Sequence, residues 1–198
     1  MPTAETIVVL GAGGAMGFAT ARNLARAGLD VRGWSRCKDA AQPLAADGVR
    51  VLDTPAQAAE GATVILTMLA DADAVLESMK GVDGALAAPL GAKPVWLQMS
   101  TIGEAGTDRC IALARERAVA FVDAPVLGIN VPAHDGDLVI LCSGPERLED
   151  RLAPVLDVIG RRTRWIGNAG NGTRLKLATN GWIRTAVEGG VHLTGARS

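Results

Sequence analysis

The strongest constraint on the fold lies at the start of the chain, where the apolar run Thr6-Ile7-Val8-Val9-Leu10 meets Gly11-Ala12-Gly13-Gly14-Ala15-Met16-Gly17. The run reads as a short buried strand, and the helical pattern from Ala15 to Ala27 stops at Gly28, a residue suited to a helix C-terminus. Strand, glycine turn and helix in this order open a dinucleotide-binding βαβ unit. Glycine is needed because backbone N–H groups at a helix N-terminus must approach a pyrophosphate closely, and a side chain would stand between them. Gly11 and Gly13 would put the third glycine of a G-x-G-x-x-G pattern at Met16, whereas Gly17 follows one residue later. The turn therefore carries one extra residue, and a tight strand-to-helix turn without a ligand is the alternative reading.

A chain of 198 residues can bury a sizeable core but is short for two full domains. Its net charge of −1 creates no general field for nucleic acid or an anionic membrane, and neither is expected as a partner. No basic segment followed by an apolar stretch opens the chain and no apolar run approaches membrane-spanning length, so a cytoplasmic protein is expected. Cys37, Cys110 and Cys142 are odd in number and widely spaced, the usage of reduced, mostly structural thiols. With His134 and His192 far apart, no metal site is expected.

Strands alternate with helices almost to the end, the pattern of a Rossmann-like α/β fold with a doubly wound parallel sheet. Further strands are expected at residues 30–34, 49–52, 63–68, 94–99, 118–123, 138–142 and 163–166, and helices over about 38–47, 71–79, 104–117 and 145–159. A loop holding Pro125, Pro132 and Gly136 precedes the strand at 138, and the glycine-rich stretch 167–172 precedes a final helix from about Thr173. On this division residues 1–166 form the dinucleotide-binding domain, and residues 167–198 form a glycine-rich loop and a truncated interdomain helix.

The end of the second strand bears on cofactor choice. An enzyme for NAD places Asp or Glu there to accept from the ribose hydroxyls, whereas one for NADP needs groups that meet a phosphate. Here the strand runs into Trp34-Ser35-Arg36-Cys37-Lys38, with Asp30 opening it and Asp39 already in the next helix. A hydroxyl from Ser35, a planar fork from Arg36 and a point charge from Lys38 suit a 2′-phosphate, so NADP(H) is expected to be preferred over NAD(H). Two solvated cations at a helix start are the plainer reading.

These residues carry a family resemblance. The turn with Met16-Gly17, the stretch from Asn23-Leu24 to Ala27-Gly28 and the following Trp34-Ser35-Arg36 resemble the β-hydroxyacid dehydrogenases, relatives of 3-hydroxyisobutyrate, tartronate-semialdehyde and 6-phosphogluconate dehydrogenases. Further stretches follow in the same order. Thr67-Met68-Leu69 resembles the segment lining the cofactor after the fourth strand, Met99-Ser100-Thr101-Ile102 the serine-bearing loop, and Asp123-Ala124-Pro125-Val126 the substrate loop. Gly167 to Gly172, then Lys176 and Asn180, resembles the entry to the catalytic helix. The resemblance implies reversible hydride transfer between a nicotinamide and a carbonyl or its alcohol. It extends the cofactor site of Gly11 to Gly17, Ser35, Arg36 and Lys38 to Met68, Leu69, Ala70 and Thr101. It makes Lys176 the general acid in reduction and base in oxidation, with Asn180 orienting it or the substrate, and gives Ser100 and Thr101 hydrogen bonds to the substrate.

Lys176 and Asn180 are four apart and share one face of a helix. With Thr173 as N-cap, Lys176 would sit in the first turn, where the helix dipole disfavours an ammonium and eases its deprotonation. The chain also departs from the family. Leu127-Gly128-Ile129 replaces the Ser-Gly-Gly that usually follows the substrate loop, Gln98 replaces an acid, and Glu104 stands where proline is common. Leu127 and Ile129 should weaken carboxylate recognition and favour a larger, less polar carbonyl or imine. Family members continue into a helical second domain, whereas this chain stops at Ser198, so a truncated, catalytically inactive NADP(H)-binding module is the alternative to an active oxidoreductase. Trp182, Ile183, Val187, Val191 and Leu193 are apolar near that end, and packing against a second copy to give a homodimer is expected.

Overall fold

The computed structural model of the protein describes residues 5–128 and 133–194, with residues 183–194 described by backbone alone. Six parallel strands form the main sheet: β1 (Thr6–Leu10), β2 (Asp30–Trp34), β3 (Arg50–Val51), β4 (Val64–Thr67), β5 (Val95–Gln98) and β6 (Ala120–Asp123). Their order is β3-β2-β1-β4-β5-β6. The winding reverses between β1 and β4, which opens a crevice beyond their carboxyl ends. Strands buried on both faces have no polar alternation, and β1 shows why: Ile7 and Val9 pack into one core, Val8 and Leu10 into the other.

On the first face α1 (Ala15–Arg26) and α6 (Glu149–Ile159) bury Leu24, Leu152, Val155 and Leu156. On the second, α4 (Ala72–Met79) and α5 (Gly103–Glu116) bury Val75, Met79, Cys110 and Leu113 beside Trp96, whose ring meets Phe121 edge-on at 5.2 Å. Each fully buried large side chain contributes roughly 1.5–3 kcal/mol.

Local chemistry sets the helix ends. The Asp71 carboxylate accepts from the Ala74 N–H at 2.8 Å and caps α4. After α1 and before β3 the chain turns at Gly28 and Gly48, with φ of 86° and 89°. The helix expected over 38–47 divides into α2 (Lys38–Ala41) and a 3-10 helix, Gln42–Asp47. Pro43 has no N–H to continue the α-helical ladder and its ring crowds the preceding turn. A short helix not anticipated from sequence, α3 (Pro55–Ala59), starts at Thr54, which caps it through the Gln57 N–H.

The last strands correct the single-sheet expectation. β7 (Val126–Leu127), β8 (Leu138–Cys142) and β9 (Gly160–Trp165) form a separate sheet, with β7 antiparallel to β8 and β8 parallel to β9. A parallel continuation would need a crossover connection, but the chain runs on from β6 into β7 and reverses at β8, which pairs antiparallel with β7 and meets the end of β6 at the antiparallel bridge Asp123–Ser143. From β9, Gly167 and Gly170 with φ of 59° and 96° lead into α7 (Asn171–Thr194).

Candidate functional site

Beyond the carboxyl ends of β1, β4 and β5 lies a cleft of about 530 Å³. The turn and first residues of α1 give it Gly14, Ala15, Met16 and Gly17; the loop after β4 gives Met68, Leu69 and Ala70. Met99, Ser100 and Thr101 follow β5, Val126 and Gly128 come from β7 and its end, and α7 adds Lys176 and Asn180. Met99 and Val126 are apolar walls that the sequence did not single out as site residues.

Gly11, Ala12 and Gly13 do not line the cleft; they build its frame. A Cβ on Gly11 would lie 2.1 Å from the Met68 carbonyl oxygen, one on Gly17 2.2 Å from that of Gly11, and one on Gly13 2.4 Å from the Ser35 hydroxyl. The N–H groups of Gly11 and Ala12 both donate to the Trp34 carbonyl at 2.9 Å, so the turn is clamped to the end of β2. Gly14, the extra residue, is the N-cap of α1, and a Cβ there would meet nothing closer than 3.5 Å. No side chain caps α1 and no acid stands in its first turn. A helix start that is positive, exposed and free of carboxylates fits the pyrophosphate of a dinucleotide.

The groups after β2 take separate roles. Lys38 is drawn to Asp53, its ammonium 2.5 Å from the carboxylate. Arg36 is exposed beside a hollow of about 240 Å³ shared with Trp34 and Leu69, and among the described residues no carboxylate pairs with it. Asp53 was missed because nothing near Lys38 in sequence marks it.

The Ser100 hydroxyl faces inward. It accepts from the Leu69 N–H at 2.8 Å and stands 3.4 Å from the Thr67 carbonyl. Gln98, where the family resemblance sets an acid, needs its amide: Oε1 accepts from the Ser100 N–H and the Thr67 hydroxyl at 2.7 and 3.2 Å, and Nε2 donates to the Ser100 carbonyl at 2.8 Å. The Trp96 indole N–H donates to Thr67 at 3.0 Å and completes a buried chain. Thr101, by contrast, is exposed within the cleft.

Lys176 and Asn180 do share a face of α7 and both reach the cleft. The helix starts at Asn171 rather than after Thr173, so Lys176 lies beyond its first turn, where the helix dipole has little effect on its ammonium. Burial in the cleft lowers the Lys176 pKa instead. Thr173 is not a cap but a buried contact: its N–H and hydroxyl both donate to the Asp123 carboxylate at 2.8 Å. Burial raises the Asp123 pKa, against the pull of these donors. Leu127 pairs with Val139 across β7 and β8 and does not line the cleft, because the period of two sends Val126 to the other side; Ile129 lies outside the described residues.

Burial pushes the thiols of Cys110 and Cys142 up to about 12, which suits inert structural cysteines. Among the described residues no group of His, Cys, Asp and Glu could hold a metal ion, and no helix is long and apolar enough to cross a membrane.

A doubly wound sheet whose switch point carries a glycine turn and an uncapped helix defines a Rossmann-type dinucleotide-binding domain. Residues 6–167 match the NAD binding domain of 6-phosphogluconate dehydrogenase, and the chain belongs to that NAD(P)-binding family, the β-hydroxyacid dehydrogenases. It is 32% identical over 167 residues to glyoxylate/succinic semialdehyde reductase 2, chloroplastic, of Arabidopsis thaliana, covering 84% of this chain and 46% of that protein. The 2-(hydroxymethyl)glutarate dehydrogenase of Eubacterium barkeri is 30% identical over 167 residues, 84% of this chain and 55% of its own. The structure of Mycobacterium tuberculosis 3-hydroxyisobutyrate dehydrogenase with L-serine superposes with a TM-score of 0.83 at 31% identity, over 90% of this chain and 60% of that one. The chain thus spans about half the length of the curated relatives it matches.

Proposed function

We propose that the protein is an NADP(H)-dependent oxidoreductase that interconverts a small carbonyl compound and its alcohol, or the corresponding imine and amine, with Lys176 as the proton donor and acceptor. The observation that carries this reading is the meeting of Lys176 and Asn180 with Thr101 and the open start of α1 in one cleft. A bound nicotinamide supplies or takes the hydride. The half-buried amine of Lys176 gives a proton to the substrate oxygen or nitrogen in reduction and recovers it in oxidation, and a lowered pKa suits it to both directions. Asn180, one turn further along the same face, orients the amine or the substrate. Thr101 offers an exposed hydroxyl to the ligands, while Met68, Met99 and Val126 exclude water from one side.

Several relatives are named as reductases of small aldehydes, such as glyoxylate and succinic semialdehyde, which supports a small aldehyde or ketone as substrate. The apolar wall of Met99 and Val126 favours one with an apolar portion. The phosphate-matching fork of Arg36, with the Ser35 hydroxyl nearby, supports NADP(H) over NAD(H). The test is NADPH oxidation by the purified chain with a panel of aldehydes, ketones, imines and keto acids, beside Lys176→Ala. Turnover that depends on Lys176 is expected; NADPH binding without turnover of any panel member would leave a binding module and overturn the reading.

A further inference from the structure

Asp123, Ser143, Thr107 and Thr173 come from β6, the end of β8, α5 and α7, and all four are buried to within 1% exposure. The proposed chemistry uses none of them. Their side chains nevertheless form one connected cluster. Asp123 Oδ2 accepts from the Thr173 N–H at 2.8 Å and from the Ser143 hydroxyl at 3.3 Å, and Oδ1 accepts from the Thr173 hydroxyl at 2.8 Å. Ser143 in turn accepts from the Gly172 N–H at 2.9 Å, and the hydroxyls of Thr107 and Thr173 lie 3.2 Å apart.

The N–H groups of a helix's first turn have no partners within the helix. In α7 two of them, Gly172 and Thr173, are answered by the Ser143 hydroxyl beside β8 and by the Asp123 carboxylate of β6, one from each sheet. Close packing enforces the same placement, since a Cβ on Gly172 would lie 2.2 Å from the Leu141 carbonyl oxygen. A buried carboxylate is costly, and for stability alone an apolar cluster of similar volume would serve as well or better. What the carboxylate adds is a fixed direction: it accepts from both donors of one residue, so α7 can neither rotate nor slide without breaking a charge-assisted bond. Thr173, Lys176 and Asn180 stand at i, i+3 and i+7, a single stripe of the helix. The anchored residue is therefore one turn from the amine.

We propose that Asp123 is a positioning residue, whose carboxylate holds the first turn of α7 against β6 and thereby sets how far Lys176 and Asn180 enter the cleft. The inference rests on the proposed role of Lys176, but its test does not. Thr173→Val keeps size and N–H but removes the hydroxyl, Thr173→Ser restores the hydroxyl, and Asp123→Asn replaces one accepting oxygen by a donor. The chain has lysines only at positions 38, 80, 93 and 176, so after reductive methylation with ¹³C the Lys176 signal can be assigned by comparison with Lys176→Arg and titrated by NMR.

In Thr173→Val and Asp123→Asn the Lys176 titration should move up towards the ordinary lysine range as the amine gains water. The kcat should fall on the order of tenfold to a hundredfold, because small misplacement of a reacting group is amplified in the rate. The KM for NADPH should stay unchanged, and Thr173→Ser should bring both titration and kcat back. A folded Thr173→Val with the parent's Lys176 midpoint overturns the proposal, as does loss of kcat that Thr173→Ser fails to restore. If the parent chain turns over no substrate, the enzymatic reading fails, and the Lys176 midpoint alone decides whether Asp123 positions α7.

Discussion

The ammonium of Lys38 lies 2.5 Å from the Asp53 carboxylate, and the backbone carbonyl of Asp53 accepts from the Trp34 indole N–H at 3.1 Å. The pair is exposed, with side chains 45% and 69% accessible, so it contributes at most about 1 kcal/mol to stability. Its consequence is for charge at the end of β2: Lys38 is balanced locally, and Arg36 is left as the open cation. Arg36→Ala should weaken NADPH binding by about 1.5–3 kcal/mol, roughly 10- to 150-fold, while NADH binding hardly changes. Lys38→Ala should leave the ratio of the two affinities nearly intact. Titration calorimetry with both cofactors measures this, and equal affinities in the parent chain would refute the preference.

The lowered pKa of Lys176 gives a signed pH dependence. Only the ammonium can donate, so carbonyl reduction should fall as pH rises through the Lys176 pKa, at a midpoint below the free-lysine value of 10.5. Oxidation should rise through the same midpoint, because it needs the free amine. Lys176→Ala should remove this limb and lower turnover by on the order of 10²–10⁴-fold with NADPH affinity nearly unchanged. An alkaline limb that survives in the variant would assign the proton transfer to another group.

Ser100 is expected to act on the cofactor side of the cleft through Leu69. Ser100→Ala strips the Leu69 N–H of its acceptor, at a cost of about 1–3 kcal/mol, and frees the loop that carries Met68, Leu69 and Ala70. A lower melting temperature and weaker NADPH binding should appear together. Unchanged stability and cofactor binding, with a raised KM for the carbonyl substrate, would instead make the hydroxyl a substrate contact.

On α7, Leu175 and Trp182 stand seven residues apart and so share a face, with exposures of 43% and 74%. Covering large apolar side chains gains roughly 1.5–3 kcal/mol each, and a self-complementary contact needs only one such patch. A homodimer built on this face is expected, and Trp182→Ser should shift it towards monomer. Sedimentation showing a monomer for the parent chain across the accessible concentration range would exclude the dimer. The neighbouring apolar residues Ile183, Val187, Val191 and Leu193 lie outside the residues whose side chains are described.

The sequence by itself determined those features whose causes sit within a few residues of each other. The apolar run of β1, the glycines of its turn and the stop at Gly28 define strand, turn and helix locally, because strand burial and positive φ act on the chain at the place where they occur. The spacing of Lys176 and Asn180 likewise settles that they share a face, whatever the helix packs against. Only the tertiary structure decided which partner each polar side chain takes. Ser100 turns to Leu69 across 31 residues of sequence, and Asp123 to Thr173 across 50. It also decided that β8 and β9 leave the main sheet and that α7 starts at Asn171, where the Asp123 carboxylate waits for its first turn. Hydrogen-bond partners are chosen by proximity in the folded chain and by the cost of leaving a buried donor unmet, and neither quantity exists until distant segments have packed together.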